Sequence, residues 1–178
     1  MKVLLHICCA PCTIYSLKTL RDEGMDVTGY FYNPNIHPYS EFLKRLLTLE
    51  NYARLSLMPL IVDKGYNLTS FLKGAIEYGK DRCIFCYKIR LERTFIKALD
   101  EKFDAVSTTL LYSKYQRHEE IKNIGSQLSD IYAIPFIYKD FRIGWKEGIE
   151  ASKKLNMYRQ NYCGCIFSEY ERYKGEVK

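Results

Sequence analysis

Near the start of the chain stands Val3-Leu4-Leu5-His6-Ile7-Cys8-Cys9-Ala10-Pro11-Cys12, and this stretch decides the fold. Its first five residues form a short apolar run that is typical of a buried β-strand. Pro11 favours the first turn of a helix, and Gly24 marks the end of the amphipathic segment over residues 13–23. A buried strand that leads directly into a helix is typical of an α/β fold.

The rest of the chain alternates between strand-like and helix-like patterns. Further strands are predicted over residues 27–32, 60–62, 104–110 and 131–138. Helices are predicted over residues 39–57, 71–78, 83–99, 119–129 and 146–155. Such alternation implies right-handed crossovers and a mostly parallel sheet. We expect a single Rossmann-like α/β domain over residues 1–178 with a cysteine-bearing C-terminal tail. Ligands bind such sheets at the carboxyl ends of strands, where Cys8 and Cys9 fall.

Length and composition restrict the class of protein. The 178 residues suit one domain, and no apolar run approaches the ~20 residues needed to span a bilayer. The apolar stretch before Cys8 is shorter than a secretory signal requires, because His6 interrupts it. We therefore expect a cytoplasmic protein with no membrane partner, whose thiols stay reduced. The net charge of +6 and the sixteen tyrosines are compatible with a nucleic-acid partner, although composition alone favours ordinary surface packing.

The seven cysteines fall into three tight groups that predict a soft-metal or redox site. The groups are Cys8-Cys9-Ala10-Pro11-Cys12, Cys83-Ile84-Phe85-Cys86 and Cys163-Gly164-Cys165. Two residues between thiols allow both sulfurs to face one centre. Three interpretations stay open: a structural zinc with four thiolates, an iron–sulfur cluster, and a metal-free dithiol. Isolated cysteines are usually small buried apolar residues, but the clustering disfavours that interpretation here.

Six segments match, in order, the motifs of one known family. They are Leu5-His6-Ile7-Cys8-Cys9-Ala10-Pro11-Cys12, Gly29-Tyr30-Phe31-Tyr32-Asn33-Pro34-Asn35-Ile36-His37-Pro38, Arg82-Cys83-Ile84-Phe85-Cys86-Tyr87-Lys88-Ile89-Arg90-Leu91, Ser107-Thr108-Thr109-Leu110-Leu111, Lys139-Asp140-Phe141-Arg142 and Tyr158-Arg159-Gln160-Asn161-Tyr162-Cys163-Gly164-Cys165. The chain thereby resembles the QueH family, the cobalamin-independent epoxyqueuosine reductases.

The resemblance implies a reaction, a cofactor and a fold. The reaction is the reduction of epoxyqueuosine to queuosine at the wobble position of tRNA. The cofactor is a 4Fe-4S cluster, and the fold is related to that of the PP-loop nucleotide-binding proteins. Residues 8–12 stand where those proteins have a glycine-rich phosphate loop, so ATP binding is not expected. The implied partners are a tRNA and an electron donor that the sequence does not identify.

The resemblance also suggests roles for the cysteines. The expected cluster ligands are Cys8, Cys9, Cys83 and Cys86. Cys163 and Cys165 are expected to form a redox pair, or to hold a second iron, in which case Cys12 is a further ligand. Removal of the epoxide oxygen takes two electrons and two protons, and a dithiol supplies two electrons when it closes a disulfide. Spacing alone does not decide between these divisions.

Further residues are candidates for proton transfer and for RNA binding. Asp140 and Asp81 are the preferred acids, and His37, Tyr112 and His118 are also considered. The expected substrate and tRNA contacts are Tyr32, His37, Arg82, Lys88, Arg90 and Tyr158. Loop ordering, helix capping and a solvated helix face are the structural alternatives for these residues. The rival functions are a zinc-stabilised RNA-binding module and a metal-free thiol oxidoreductase.

Overall fold

Four parallel strands form one sheet in this computed structural model, which describes residues 1–175. The strands are β1 (Lys2–His6), β2 (Asp26–Phe31), β3 (Leu60–Val62) and β4 (Ala105–Thr108). Their order is β3-β2-β1-β4, so β1 lies inside the sheet with a neighbour on each side. In the register of the sheet, Leu5 lies beside Gly29 of β2 and Ser107 of β4. The predicted α/β fold with a parallel sheet is confirmed.

Helices connect the strands and cover the sheet. Within residues 1–175 the α-helices are α1 (Ala10–Asp22), α2 (Tyr39–Leu55), α3 (Leu68–Tyr78), α4 (Arg82–Asp100), α5 (His118–Tyr132), α6 (Trp145–Lys154) and α7 (Ile166–Tyr173). Short 3₁₀ turns lie at Gly79–Asp81, Thr109–Tyr112 and Phe141–Gly144. Parallel neighbours need such crossovers, which α1, α2 and the α3–α4 pair supply. Leu4 and Leu5 of β1 are completely buried at the centre of the core.

The passage from β1 into α1 places cysteines at the edge of the sheet. Cys9 is the residue before the helix and has an extended backbone. Pro11 occupies the first turn of α1, where its missing N–H costs no helical hydrogen bond. The Thr13 hydroxyl donates to the Cys9 carbonyl at 2.9 Å, which closes the turn. Cys8, Cys9 and Cys12 therefore lie beyond the carboxyl end of an interior strand, the usual ligand position in parallel sheets.

The strand predicted over residues 131–138 is wrong. Helix α5 continues to Tyr132, and Phe136 alone forms an isolated parallel bridge with Val106 of β4. The Val106 amide donates to the Pro135 carbonyl at 2.9 Å, and the Ile137 amide donates to the Val106 carbonyl at 2.8 Å. Pro135 has no N–H to extend the ladder, so the apolar segment pairs with the sheet at one point only.

The strand predicted over residues 104–110 is shorter than expected. Strand β4 ends at Thr108, whose hydroxyl accepts a hydrogen bond from the Leu110 amide at 3.2 Å and begins the 3₁₀ turn. The last three residues of the predicted domain 1–178 lie outside the described residues. Among residues 1–175, the helices are too short or too polar to cross a bilayer.

We expect Gly125→Ala to lower the free energy of unfolding by about 1–3 kcal/mol, the usual cost of overpacking a core. Gly125 lies on α5 against Phe136, and a Cβ atom there would stand 2.3 Å from a carbon of the phenyl ring. Urea unfolding would measure the change. The control is Ser126→Ala, an exposed position on the same helix. Equal stability of the two variants would contradict the packing of α5 on Phe136.

Candidate metal centre

Three sulfur atoms lie together beyond β1. The Sγ atoms of Cys8, Cys9 and Cys12 are all within 4.8 Å of one another. The Cys9 and Cys12 sulfurs are 3.0 Å apart, and the Cys8 and Cys9 sulfurs are 3.8 Å apart. Thiolates bound to one tetrahedral metal, at ~2.3 Å each, are separated by roughly 3.8 Å. This donor set therefore fits a soft metal ion.

The three thiols differ in acidity because they share hydrogen bonds. Hydrogen bonds from the Cys12 and Cys9 thiols lower the pKa of Cys8 well below its usual value. Burial raises the pKa of Cys9 to about 12, and the hydrogen bonds with Cys8 and Cys9 raise the pKa of Cys12. The Thr109 hydroxyl, 3.3 Å from the Cys8 sulfur, adds a further donor. Of the three thiols, Cys8 is therefore the one whose surroundings most favour the thiolate form that ligates metals.

Helix α4 carries the second cysteine pair in its first turns. Cys83 and Cys86 are half-buried, and Arg90 lies one turn further along the helix with its Nη1 atom 3.7 Å from the Cys86 sulfur. Burial raises the pKa of Cys83 and raises that of Cys86 to about 12; the charge of Cys163 adds to both shifts. The C-terminal cysteines thus lie close enough to the α4 pair to interact electrostatically.

Arg90 connects the three cysteine groups. Its side chain is buried, with 1% of the residue exposed, and Nη2 donates to the Asn33 side-chain oxygen at 2.7 Å. Its guanidinium charge interacts with the sulfurs of Cys86, Cys8 and Cys163. A buried cation that faces sulfur atoms favours their thiolate forms. One buried cation therefore acts electrostatically on a member of each of the three sequence groups.

A buried ion pair on α2 holds the C-terminal cysteine loop. Arg45 Nη1 donates to the Cys163 carbonyl at 2.8 Å, and Nη2 donates to the Tyr162 carbonyl at 3.1 Å. Its Nε atom pairs with Glu41 at 2.7 Å, and both charged side chains are almost fully buried. Arg45 on α2 therefore fixes the position of Cys163, although the two residues are 118 positions apart in the sequence. The Cys163 sulfur itself accepts a hydrogen bond from Gln116 at 3.3 Å.

His37 holds the same loop through hydrogen bonds of its ring and of its backbone. Its Nε2 atom donates to the Pro34 carbonyl at 3.1 Å, and its Nδ1 atom accepts from the Ile166 amide at 3.3 Å, which assigns the neutral tautomer. Burial lowers the pKa of His37, in agreement with that assignment. Its amide also donates to the carbonyl of Gly164. Gly164 has φ of +156°, and a Cβ atom there would lie 3.0 Å from the side-chain nitrogen Nδ2 of Asn35.

A cavity of about 700 Å³ opens beside these groups. One wall carries Cys8, Cys12, Cys163 and Arg90. The remaining wall is aromatic and polar, and includes Tyr112, Tyr115, Trp145, Arg159 and Gln160. Its size is that of a pocket for one small molecule or one extruded nucleoside.

Asp140 lies away from this cavity. Arg142 donates to both carboxylate oxygens of Asp140, at 2.8 and 2.6 Å, and its amide donates to the same side chain at 3.0 Å. These hydrogen bonds lower the pKa of Asp140. The carboxylate caps the Phe141–Gly144 turn, which is the alternative that the sequence left open. Asp81 forms an exposed ion pair with Arg117.

Arg90 is the one predicted tRNA contact among the cavity-lining residues. Lys88 is exposed on α4, and Arg82 is partly buried in an ion pair. Tyr32 borders a separate surface depression, and Tyr158 is 36% exposed. The RNA-binding roles of these residues stay predictions. The burial of Arg90 means that any contact with substrate would take place inside the cavity.

Several site residues were not singled out from the sequence. Glu41 and Arg45 lie four residues apart on the face of α2 that also buries Leu49. Two charged residues at the spacing of the apolar face of a helix were the sequence signal that could have indicated a buried ion pair. Asn33 and Gln160 stood inside recognised segments, but the sequence does not show that Gln160 donates to the Cys9 sulfur at 2.9 Å.

These features define a class of thiol-rich α/β proteins with a candidate soft-metal site at the carboxyl edge of a parallel sheet. The chain belongs to the epoxyqueuosine reductase QueH family, whose model matches residues 3–171. It is 35% identical to epoxyqueuosine reductase QueH of Dehalococcoides mccartyi, over 97% of this chain and 94% of that protein. It is 37% identical to the protein of the same name from Thermotoga maritima, over 96% and 91% of the two chains. The resemblance stated from the motifs is confirmed.

A solved structure shares the fold. A predicted subunit of tRNA methyltransferase from Methanocaldococcus jannaschii has a TM-score of 0.59 to this chain, at 14% sequence identity. The match covers 86% of this chain and 74% of that one. At this identity the likeness shows a common α/β architecture and nothing about activity.

We expect Arg45→Met to lower the free energy of unfolding by about 3–5 kcal/mol, because it leaves Glu41 buried without its partner. The Cys163 loop should also loosen, so Cys163 should react faster with iodoacetamide. Urea unfolding and mass spectrometry of the alkylated peptides would measure the two effects. Arg54→Met is the matched control on the exposed face of α2 and should change stability by no more than ~0.5 kcal/mol. Unchanged stability and unchanged labelling in Arg45→Met would contradict the anchoring role.

Proposed function

We propose that this chain reduces epoxyqueuosine to queuosine at the wobble position of tRNA, in the cytoplasm, with residues 1–178 acting as one iron–sulfur domain. The observation that carries the proposal is that Arg90 lines one cavity with Cys8, Cys12 and Cys163 and contacts the Cys86 sulfur at 3.7 Å. Membership of the QueH family along nearly the whole chain supports the choice of substrate.

The cofactor in this proposal is a 4Fe-4S cluster. Its ligands would be Cys8, Cys9, Cys83 and Cys86, which supply the four thiolates that such a cluster needs. The donor chemistry suits such a cluster, because all four side chains are thiols and the nearby Arg90 cation would offset the negative charge of ligating thiolates. When bound, the cluster supplies electrons one at a time.

Cys163 and Cys165 complete the proposed redox chemistry. Removal of the epoxide oxygen as water takes two electrons and two protons. Two thiols that close a disulfide release both, and an external electron donor then reduces the disulfide again. Cys163 lines the cavity, which supports this role. The alternative assignment makes these cysteines the holders of a second iron, with Cys12 as a further ligand.

The chain's other residues would position the substrate. We propose that Tyr32, Arg82, Lys88 and Tyr158 contact the tRNA outside the cavity, where phosphate contacts would make binding salt-dependent. His37 acts indirectly by ordering the loop of Cys163. Asp140 is omitted as the proton donor, since the hydrogen bonds from Arg142 lower its pKa and its side chain is not among those that line the cavity.

The reaction can be tested directly. Reduced protein is incubated anaerobically with tRNA that contains epoxyqueuosine, and the nucleosides are analysed by mass spectrometry. We expect the modified nucleoside to lose the mass of one oxygen atom. Protein with both Cys163 and Cys165 changed to Ser should leave it unchanged, while Ser126→Ala should behave as the wild type. Recovery of intact epoxyqueuosine with metal-loaded wild-type protein would reject the proposal.

Iron content tests the ligand assignment. Protein purified without oxygen should be brown, and Cys83→Ala should lose most of its iron because one of four thiolates is missing. Inductively coupled plasma mass spectrometry would measure the number of iron atoms per chain, with Ser126→Ala as the control. Full iron retention in Cys83→Ala would overturn the assignment. Colourless protein with zinc would favour an RNA-binding module, and metal-free protein would favour a thiol oxidoreductase.

A further inference from the structure

One loop connects the interior of the site with the protein surface. Residues 113–117, Ser113-Lys114-Tyr115-Gln116-Arg117, join the Thr109–Tyr112 turn to α5. Gln116 reaches inward and donates to the Cys163 sulfur at 3.3 Å. The neighbouring Tyr115 lines the same cavity but is 84% exposed. The loop therefore presents an aromatic ring at the mouth of the cavity.

The ring of Tyr115 is supported from one edge. Its centroid lies 6.0 Å from that of Trp145, with the two planes at 77°. Trp145 is stacked in turn on Tyr112 at 5.2 Å, and the Tyr112 hydroxyl donates to the Trp145 carbonyl at 2.9 Å. Edge-to-face contact holds an aromatic ring in place without covering its faces. The high exposure of Tyr115 agrees with faces that are open to a ligand.

Positive charge flanks this ring in the sequence, and one of the two cations lies against its aromatic neighbour Trp145. Lys114 is exposed, with its ammonium 5.6 Å from the centre of the Trp145 ring. Arg117 follows two residues after Tyr115 and is paired only with the exposed carboxylate of Asp81 among the ion pairs of residues 1–175. An exposed aromatic ring between cations is the arrangement with which proteins bind single-stranded nucleic acid.

We propose that Tyr115 stacks on a nucleobase of the anticodon loop that neighbours the modified base, while Lys114 contacts a phosphate of the same strand. This inference rests on the proposed function and specifies how its substrate is held. A cavity of about 700 Å³ admits one nucleoside, so the adjoining nucleotides must remain at its mouth. Tyr115 lies at that mouth, and the net charge of +6 favours a polyanionic occupant.

The size of the effect follows from base stacking. Loss of one stacked aromatic ring weakens single-strand binding by about fivefold to a hundredfold. Loss of one phosphate contact reduces the slope of log affinity against log salt by about 1. Tyr115→Ala should therefore show the first effect and Lys114→Ala the second. Tyr115 makes its contribution to binding, so its removal should raise KM for tRNA far more than it lowers kcat.

Affinity is measured with the full-length, metal-loaded protein and a fluorescein-labelled anticodon stem-loop, by fluorescence anisotropy. Tyr115→Phe keeps the ring and should bind as the wild type does. Tyr170→Ala is the matched control, since Tyr170 is 64% exposed on α7 and is not a cavity-lining residue. Trp145 is the chain's single tryptophan, and its emission should change when the stem-loop binds to wild type but much less with Tyr115→Ala.

The outcomes separate this inference from the proposed function. Wild-type affinity and wild-type KM in Tyr115→Ala would overturn the stacking role while deoxygenation by the wild type still proceeds. Stem-loop binding that depends on Tyr115, in a protein that never removes the epoxide oxygen, would reject the proposed function and leave the RNA contact standing. Tyr115→Ala could instead weaken only the interaction with a protein electron donor and leave RNA affinity unchanged. That result would assign this surface to the donor and overturn the inference.

Discussion

The buried guanidinium of Arg90 is the constraint on which the site depends. It lies one turn beyond the cysteine pair of α4 and is held by Asn33, whose amide donates to the Ile7 carbonyl at the end of β1. A cation without water must face negative charge, and its electrostatic partners here are the sulfurs of Cys8, Cys86 and Cys163. The single positive charge of Arg90 therefore favours the thiolate form of a nearby cysteine, and Cys8 is the cysteine whose pKa is lowered.

A second constraint acts on the C-terminal cysteine loop, which is far in the sequence from the first cysteine group. The C-terminal cysteine loop has no strand or long helix of its own, so it would be mobile without external contacts. The Glu41–Arg45 pair and His37 supply those contacts through the backbone of the loop and leave the Cys163 sulfur turned to Gln116. Backbone anchoring of this kind fixes where a thiol lies while leaving it available for redox chemistry. The fold thus places a loop residue beside residues from the interior of the sheet.

Sequence patterns predicted the elements whose apolar periodicity is strong. Strand β1 and helix α1 followed from one buried run, one proline and one glycine, and the parallel sheet followed from the alternation of strands and helices. The strand predicted over residues 131–138 was wrong because apolar composition does not show whether a segment can form a continuous series of backbone hydrogen bonds with the sheet. For Asp140 the sequence left an acid and a helix cap open, because its partner Arg142 is only two residues away and composition does not distinguish a local cap from a catalytic acid.

By itself, the sequence determined the fold class, the three cysteine groups and the family, because short-range periodicity and ordered motifs are carried by neighbouring residues. Only the tertiary structure decided that Arg90 contacts Cys86 and lines a cavity with Cys8 and Cys163, that Cys12 joins Cys8 and Cys9, and that an α2 ion pair holds the C-terminal loop. These relations link residues that are far apart in the chain, and their distances depend on how helices pack on the sheet. The cysteine stretch at the end of β1 became part of a cavity when packing placed Arg90 and Cys163 beside it.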